Sequence, residues 1–194
     1  MKHRLLIILA VLLLGGCAGS QAVFTQPPQA TERQADQLSR DISLLDSKID
    51  IDEARRAARI ALEYSQQLAQ KYQVSGSALY HNVLVNLGIR ERGLCIDWTT
   101  DLMARLQQEG FRSLQLHWAI ANYQASFRLE HSSVVVSAIG GSIEQGLLLD
   151  PWRYSGNLYW ARPGEDPGYR WRPRAEVIAL KRSFEAETEN RVNR

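Results

Sequence analysis

LCIDWTTDLMARLQQEGFRSLQLHWAI, residues 94–120, changes period partway along its length. From Cys95 through Leu106 it reads as a helix, closed by Gly110. From Leu114 the pattern alternates: Leu114, Leu116, Trp118 and Ile120 against Ser113, Gln115, His117 and Ala119, which predicts a strand with one buried face. Upstream of this switch the apolar spacing is helical. Thr31 to Lys48 places Ala35, Leu38, Ile42 and Leu45 on one face, and a second helix begins after Asp50 or Asp52 and reaches about Tyr72. A third runs from Ser77 to Leu87, ended by Gly88. Downstream, HSSVVVSAIGGSIEQGLLLD (residues 131–150) reads as two apolar strands folded back through a Gly140-Gly141 turn. Helices first and an antiparallel meander after them make an α+β fold, not alternating β-α units.

Beyond Pro151 the pattern weakens. Residues 151–173 are rich in Trp, Tyr, Arg, Gly and Pro and read as irregular chain or a short hairpin. Glu176 to Leu180 reads as a last strand or helical turn, and the charged end from Arg182 as a tail or frayed helix. The predicted organisation is a leader (1–16), a tether (17–30), one domain (31–181) and a charged tail (182–194). Within the domain, 31–110 is expected to be helical and 111–181 to form the sheet.

Composition narrows the function classes. A net charge of +2 over 194 residues gives no field suited to nucleic acid. Two cysteines, Cys17 and Cys95, exclude a disulfide-stapled scaffold and a four-cysteine zinc site. No set of His, Cys and carboxylates has ligand spacing, so neither metal nor cofactor is expected.

Cys17 follows a basic start, an apolar run from Leu5 to Leu14 and Gly15-Gly16. That is a secretory signal too short to span a bilayer. Leu14-Gly15-Gly16-Cys17 resembles the lipobox of bacterial lipoproteins. The resemblance implies cleavage before Cys17, diacylglyceryl transfer to its thiol and acylation of the new amine. Several acyl chains together hold a protein durably on a membrane. Ala18 in second place, not Asp, implies the outer membrane facing the periplasm in enteric-type bacteria, or the outer face of the plasma membrane in a Gram-positive source. Removal of residues 1–16 takes away Lys2 and Arg4 and no acid, so the mature chain is formally neutral.

Cys95 opens a helix, where unpaired N–H groups and the positive end of the dipole favour the thiolate, with Arg90 and Arg92 expected to add to the effect. Cysteines also serve as inert apolar filler. His131 starts an apolar strand and Asp150 ends the next; pairing through Gly140-Gly141 predicts that they are neighbours across the ladder. Asp97, in the first helical turn, suits a capping role, and His117 a surface or supporting one.

Gly93-Leu94-Cys95-Ile96-Asp97-Trp98, Glu130-His131-Ser132-Ser133-Val134 and Leu149-Asp150-Pro151-Trp152, in that order, resemble the transglutaminase-like branch of the papain-type cysteine enzymes. The likeness covers roughly residues 77 to 160. It implies a Cys95 nucleophile, His131 as base and then acid, and Asp150 as the group that orients His131. One oxyanion donor is then the Cys95 backbone N–H. The second comes from His81, Asn82 or Asn86, with Asn82 preferred. Cell-wall peptidases of a sister branch show Asp-Cys-Ser-Gly at the nucleophile and a second histidine, neither of which is present. Trp98, Trp152 and Trp160 are candidate walls of a substrate groove; the aromatic-basic segment after Asp150 equally suits packing over the sheet.

Two functions follow from the resemblance. One is a lipid-anchored thiol hydrolase or acyltransferase acting on amide bonds of envelope proteins or peptides. The other is a non-catalytic envelope lipoprotein that uses the same fold to bind a protein or wall peptide, with residues 31–75 as contact surface. Oligomeric state is left open by the sequence.

Overall fold

The computed structural model describes residues 30–125 and 127–192; the leader, Cys17 and the tether lie outside them. The described chain is α+β, with five helices and a five-stranded antiparallel sheet. Helix α1 is Glu32–Ser43, α2 Ile51–Lys71, α3 Ala78–Asn86 and α4 Cys95–Gln107. Strands β1 (Leu114–Ala121), β2 (His131–Ala138), β3 (Leu147–Asp150), β4 (Tyr159–Ala161) and β5 (Arg172–Pro173) follow, then α5 (Arg174–Val192).

The helix starts follow from side chains that take up unpaired N–H groups. Thr31 and Gln34 form a reciprocal capping box on α1. Asp50 Oδ1 accepts from Asp52 and Glu53 on α2, which settles the choice between Asp50 and Asp52. Ser77 caps α3. Helix α1 is shorter than its apolar spacing predicts, because the Asp46 carboxylate accepts from the Lys48 N–H at 2.8 Å and turns the chain.

The sheet order is β4-β3-β2-β1-β5. On one face Val134, Val136, Leu147 and Leu149 pack under Leu38 and Ile42 of α1, Ala57 and Ala61 of α2, and Leu102 and Leu106 of α4. The alanines let α2 approach closely. On the other face Ala119, Ala121, Val135 and Leu148 are covered by Ile143, Tyr159, Tyr169 and Trp171. Strand β1 is therefore covered on both sides near its end, with Ala119, Ile120 and Ala121 all buried. The buried Glu53 carboxylate joins α2 to the entry of β1, accepting from the N–H groups of Arg112 and Ser113 at 2.8 Å each.

Three sequence readings are corrected. Residues 151–173 contribute two short strands: β4 extends the sheet beside β3, and β5 crosses to pair with β1 on the opposite edge. Residues 174–192 form a continuous helix anchored by the fully buried Val177, so helix runs through the boundary placed between 181 and 182. Finally, β2 and β3 pair Val134 with Leu149 and Val136 with Leu147. Continued by one step, that register sets Ser133, not His131, opposite Asp150. His131 is two residues further along on the same face, a diagonal neighbour.

Candidate functional site

His131 and Asp150 meet along that diagonal. His131 Nε2 lies 2.8 Å from Asp150 Oδ2, with the two residues 1% and 0% exposed. The carboxylate is saturated. Its Oδ2 also accepts from Arg153 Nε at 3.0 Å, and its Oδ1 accepts from the backbone N–H groups of Trp152 and Arg153. Arg153 in turn donates through both terminal nitrogens to Asp166, at 3.1 and 2.5 Å. Its guanidinium lies 4.0 Å from the centre of the Tyr159 ring and 4.7 Å from that of Tyr169. Burial opposes the charge on Asp150, but His131 and Arg153 more than offset it and hold the carboxyl below its ordinary range.

The imidazole is packed between aromatic rings, with Trp152 at 4.6 Å, Tyr169 at 4.8 Å and Trp171 at 5.1 Å between centres. Burial pushes its pKa down; the Asp150 charge and hydrogen bond, together with the Cys95 sulfur, overcome that and raise it to about 9. With Nε2 committed to Asp150, the other nitrogen, Nδ1, is buried and has no hydrogen-bond partner among the described residues.

Cys95 is the first residue of α4 and is partly exposed. Its Sγ lies 3.6 Å from the Glu130 carbonyl, to which the thiol donates. Burial alone would push this thiol up; the His131 imidazole and the backbone N–H and hydroxyl of Ser132 more than offset it, so its pKa falls below the ordinary value. Arg90 and Arg92, expected to add to this, are engaged elsewhere. Arg90 Nε donates to the Gln73 carbonyl, and Arg92 pairs with Asp101 and Asp97.

The loop that delivers Cys95 is held at consecutive residues. His81 Nε2 lies 3.0 Å from the Arg92 carbonyl, and Trp98 Nε1 donates to the Gly93 carbonyl at 2.9 Å. The Asp97 carboxylate accepts from the N–H groups of Gly93 and Leu94. Gly93 has φ +128°, and a Cβ there would stand 2.3 Å from His81 Nε2. His81 is thus committed to the loop.

Asn82 is 8% exposed and lines the cleft that contains Cys95, as does Asn86. Trp152 Nε1 donates to Asn82 Oδ1 at 3.1 Å, which fixes the amide with its NH2 group free to donate. Trp98, Trp152 and Trp160 do not line this cleft. Trp98 is buried against Tyr72, Trp152 supports Asn82 and His131, and Trp160 donates to Asp41 against the helical layer. The aromatic rings of that segment pack over the sheet, through Tyr169 and Trp171, while its Arg174 lines the cleft. His117 is half-buried, with Nε2 2.7 Å from Ser137 Oγ.

Arg153, Asp166 and Ser132 escaped sequence reasoning as parts of the site. Arg153 stands three residues after Asp150, within reach of its carboxylate, and that spacing was the available signal; Asp166 carries no local pattern. Among the described residues no group of three His, Cys, Asp or Glu side chains is placed to hold a metal ion. No protein-family model, curated protein or solved structure matches the chain.

Proposed function

We propose that this protein is a transglutaminase-like cysteine enzyme, lipid-anchored at Cys17 in the bacterial envelope, that cleaves amide bonds of envelope proteins or peptides through an acyl-enzyme. The observation that carries this reading is the buried His131 Nε2–Asp150 Oδ2 bond, which leaves Nδ1 as the unpartnered ring nitrogen near an acidified thiol.

The Cys95 thiol gives its proton to His131 Nδ1, and the thiolate attacks the amide carbon. The oxyanion accepts from the Cys95 N–H, one of the first-turn donors with no helical acceptor, and from the Asn82 amide. As the C–N bond breaks, Nδ1 returns the proton to the leaving amine, and a thioester remains on Sγ. Water then attacks the thioester, passing one proton to Nδ1 and from there to Sγ, which restores the thiol and releases the acid. Asp150, kept ionised by Arg153, stabilises the imidazolium throughout. An amine replacing water in the second step would give acyl transfer; hydrolysis needs no shielded intermediate and is the default.

Iodoacetamide alkylation of the detergent-solubilised full chain, followed against pH with Cys95→Ala as blank, tests this. A thiolate that appears below the ordinary cysteine pKa, and moves up in His131→Ala, is the expected result. A Cys95 that labels no faster than a free cysteine at every pH would instead favour the non-catalytic binding module.

A further inference from the structure

The cleft at Cys95 is one of two hollows along α5. The first, about 430 Å³, has Leu94, Ile96, Ile120 and Val177 on its walls. The second, about 650 Å³, reaches His117, Ile143 and Arg182. Trp118, Arg174 and Ile178 border both. A chain leaving Cys95 past these three residues enters the second hollow directly.

The two ends differ in character. Beside Cys95 Lys181 and Glu130 pair with each other, and apart from Asn82, Asn86 and Ser132 the walls there are apolar, with Arg174 at the junction to the second hollow. The second hollow is bordered by Arg174 and Arg182, and among the described residues neither has a carboxylate within ion-pair distance. Arg174 instead lies over the Trp118 ring, 5.0 Å from its centre. The indole N–H of Trp118 is covered and lacks an acceptor among the described residues.

We propose that these hollows form one trough for an extended peptide with a large apolar side chain beside Cys95 and a carboxylate against Arg174 and Arg182. This rests on the reading of Cys95 as the nucleophile and adds the substrate class. The apolar end excludes charge through desolvation, and the arginines select an acidic group by paired hydrogen bonds.

Binding separates this from the chemistry. Fluorescein-labelled pentapeptides are titrated by anisotropy into the full-length Cys95→Ala protein: Asp-Ala-Ala-Leu-Ala, its Lys-for-Asp analogue and its Asp-for-Leu analogue. The first is expected to bind about tenfold tighter than either analogue, with the Asp/Lys preference fading at high salt. Arg174→Glu should reverse that preference, and Ile178→Glu should abolish the preference for Leu. On α5 Arg174 is exposed and Ile178 is half-buried, and neither change touches the fully buried Val177 that anchors the helix. Equal affinity for all three peptides, or a ranking unchanged in Arg174→Glu, overturns the proposal. Failure of the catalytic reading shows separately, as an unreactive Cys95 toward iodoacetamide in the wild-type protein.

Discussion

Asp150 and Asp166 share one guanidinium: Arg153 donates through Nε to the first and through both terminal nitrogens to the second. The carboxylate that orients His131 is therefore itself oriented by an ion pair with Arg153, which a second buried acid, Asp166, holds in place. Such a chain keeps Asp150 charged in a site where burial favours the neutral acid.

Arg153→Met should leave buried Asp166 without a counter-charge and Asp150 with the His131 imidazolium alone. A loss of about 3–5 kcal/mol at pH 7 is expected, the range for removing one partner of a buried pair. Without the guanidinium the acids hold their protons to higher pH in the folded state than in the unfolded one. The penalty should shrink as pH falls, and urea denaturation at pH 7 and pH 5 measures the difference.

Asp150→Asn keeps the shape and removes the charge. The imidazolium loses its chief stabilising neighbour, so His131 titrates below its present value of about 9. Turnover needs the protonated ring to release the amine; its alkaline limb, near pH 9 in the wild type, should move toward acid. The onset of thiolate alkylation should move the other way, since the imidazolium is what lowers the Cys95 pKa. Turnover at the optimum should drop about 10²–10⁴-fold, the span of general acid–base catalysis. Parallel pH profiles of hydrolysis and of iodoacetamide labelling read both shifts.

Asn82→Ala separates the oxyanion from the nucleophile. Hydrolysis of an amide substrate should fall about 10²–10³-fold, as for loss of one oxyanion donor. Alkylation by iodoacetamide develops no oxyanion and should be unchanged. A parallel fall in both rates would show that Asn82 acts by placing Cys95 or Trp152 instead.

Gly93→Ala adds a Cβ at φ +128°, 2.3 Å from His81 Nε2. Backbone strain alone should cost about 1–3 kcal/mol, with the clash in addition. Thermal denaturation should show part of the loss restored in Gly93→Ala/His81→Ala, because the second change removes the clash and leaves the strain.

How far these elements are legible in sequence depends on the range of the forces that set them. Helices α2 and α3 are visible because Asp50 and Ser77 cap them locally, and in α2 a long apolar period follows. Cys95, His131 and Asp150 stand at element ends, where periodicity marks position to within a residue or two. Strands β4 and β5, at three and two residues, are too short to show alternation; their pairing with β3 and β1 creates them. Helix α5 presents little amphipathic signal, since among its described residues only Val177 is fully buried. Arg153 and Asp166 meet across a fold in the chain, and no spacing in the sequence encodes that encounter. The placement of Trp98, Trp152 and Trp160 is illegible for a related reason: composition identifies an aromatic ring, but packing decides whether it faces a cleft or a core.

The ring of His131 is clasped by Trp152, Tyr169 and Trp171 and tethered at Nε2, so it cannot rotate to present a different nitrogen. Only Nδ1 is left to exchange hydrogen with anything that is not protein. If Cys95 is the nucleophile, a peptide seated over it must still leave a path by which the water that cleaves the thioester can reach this one nitrogen.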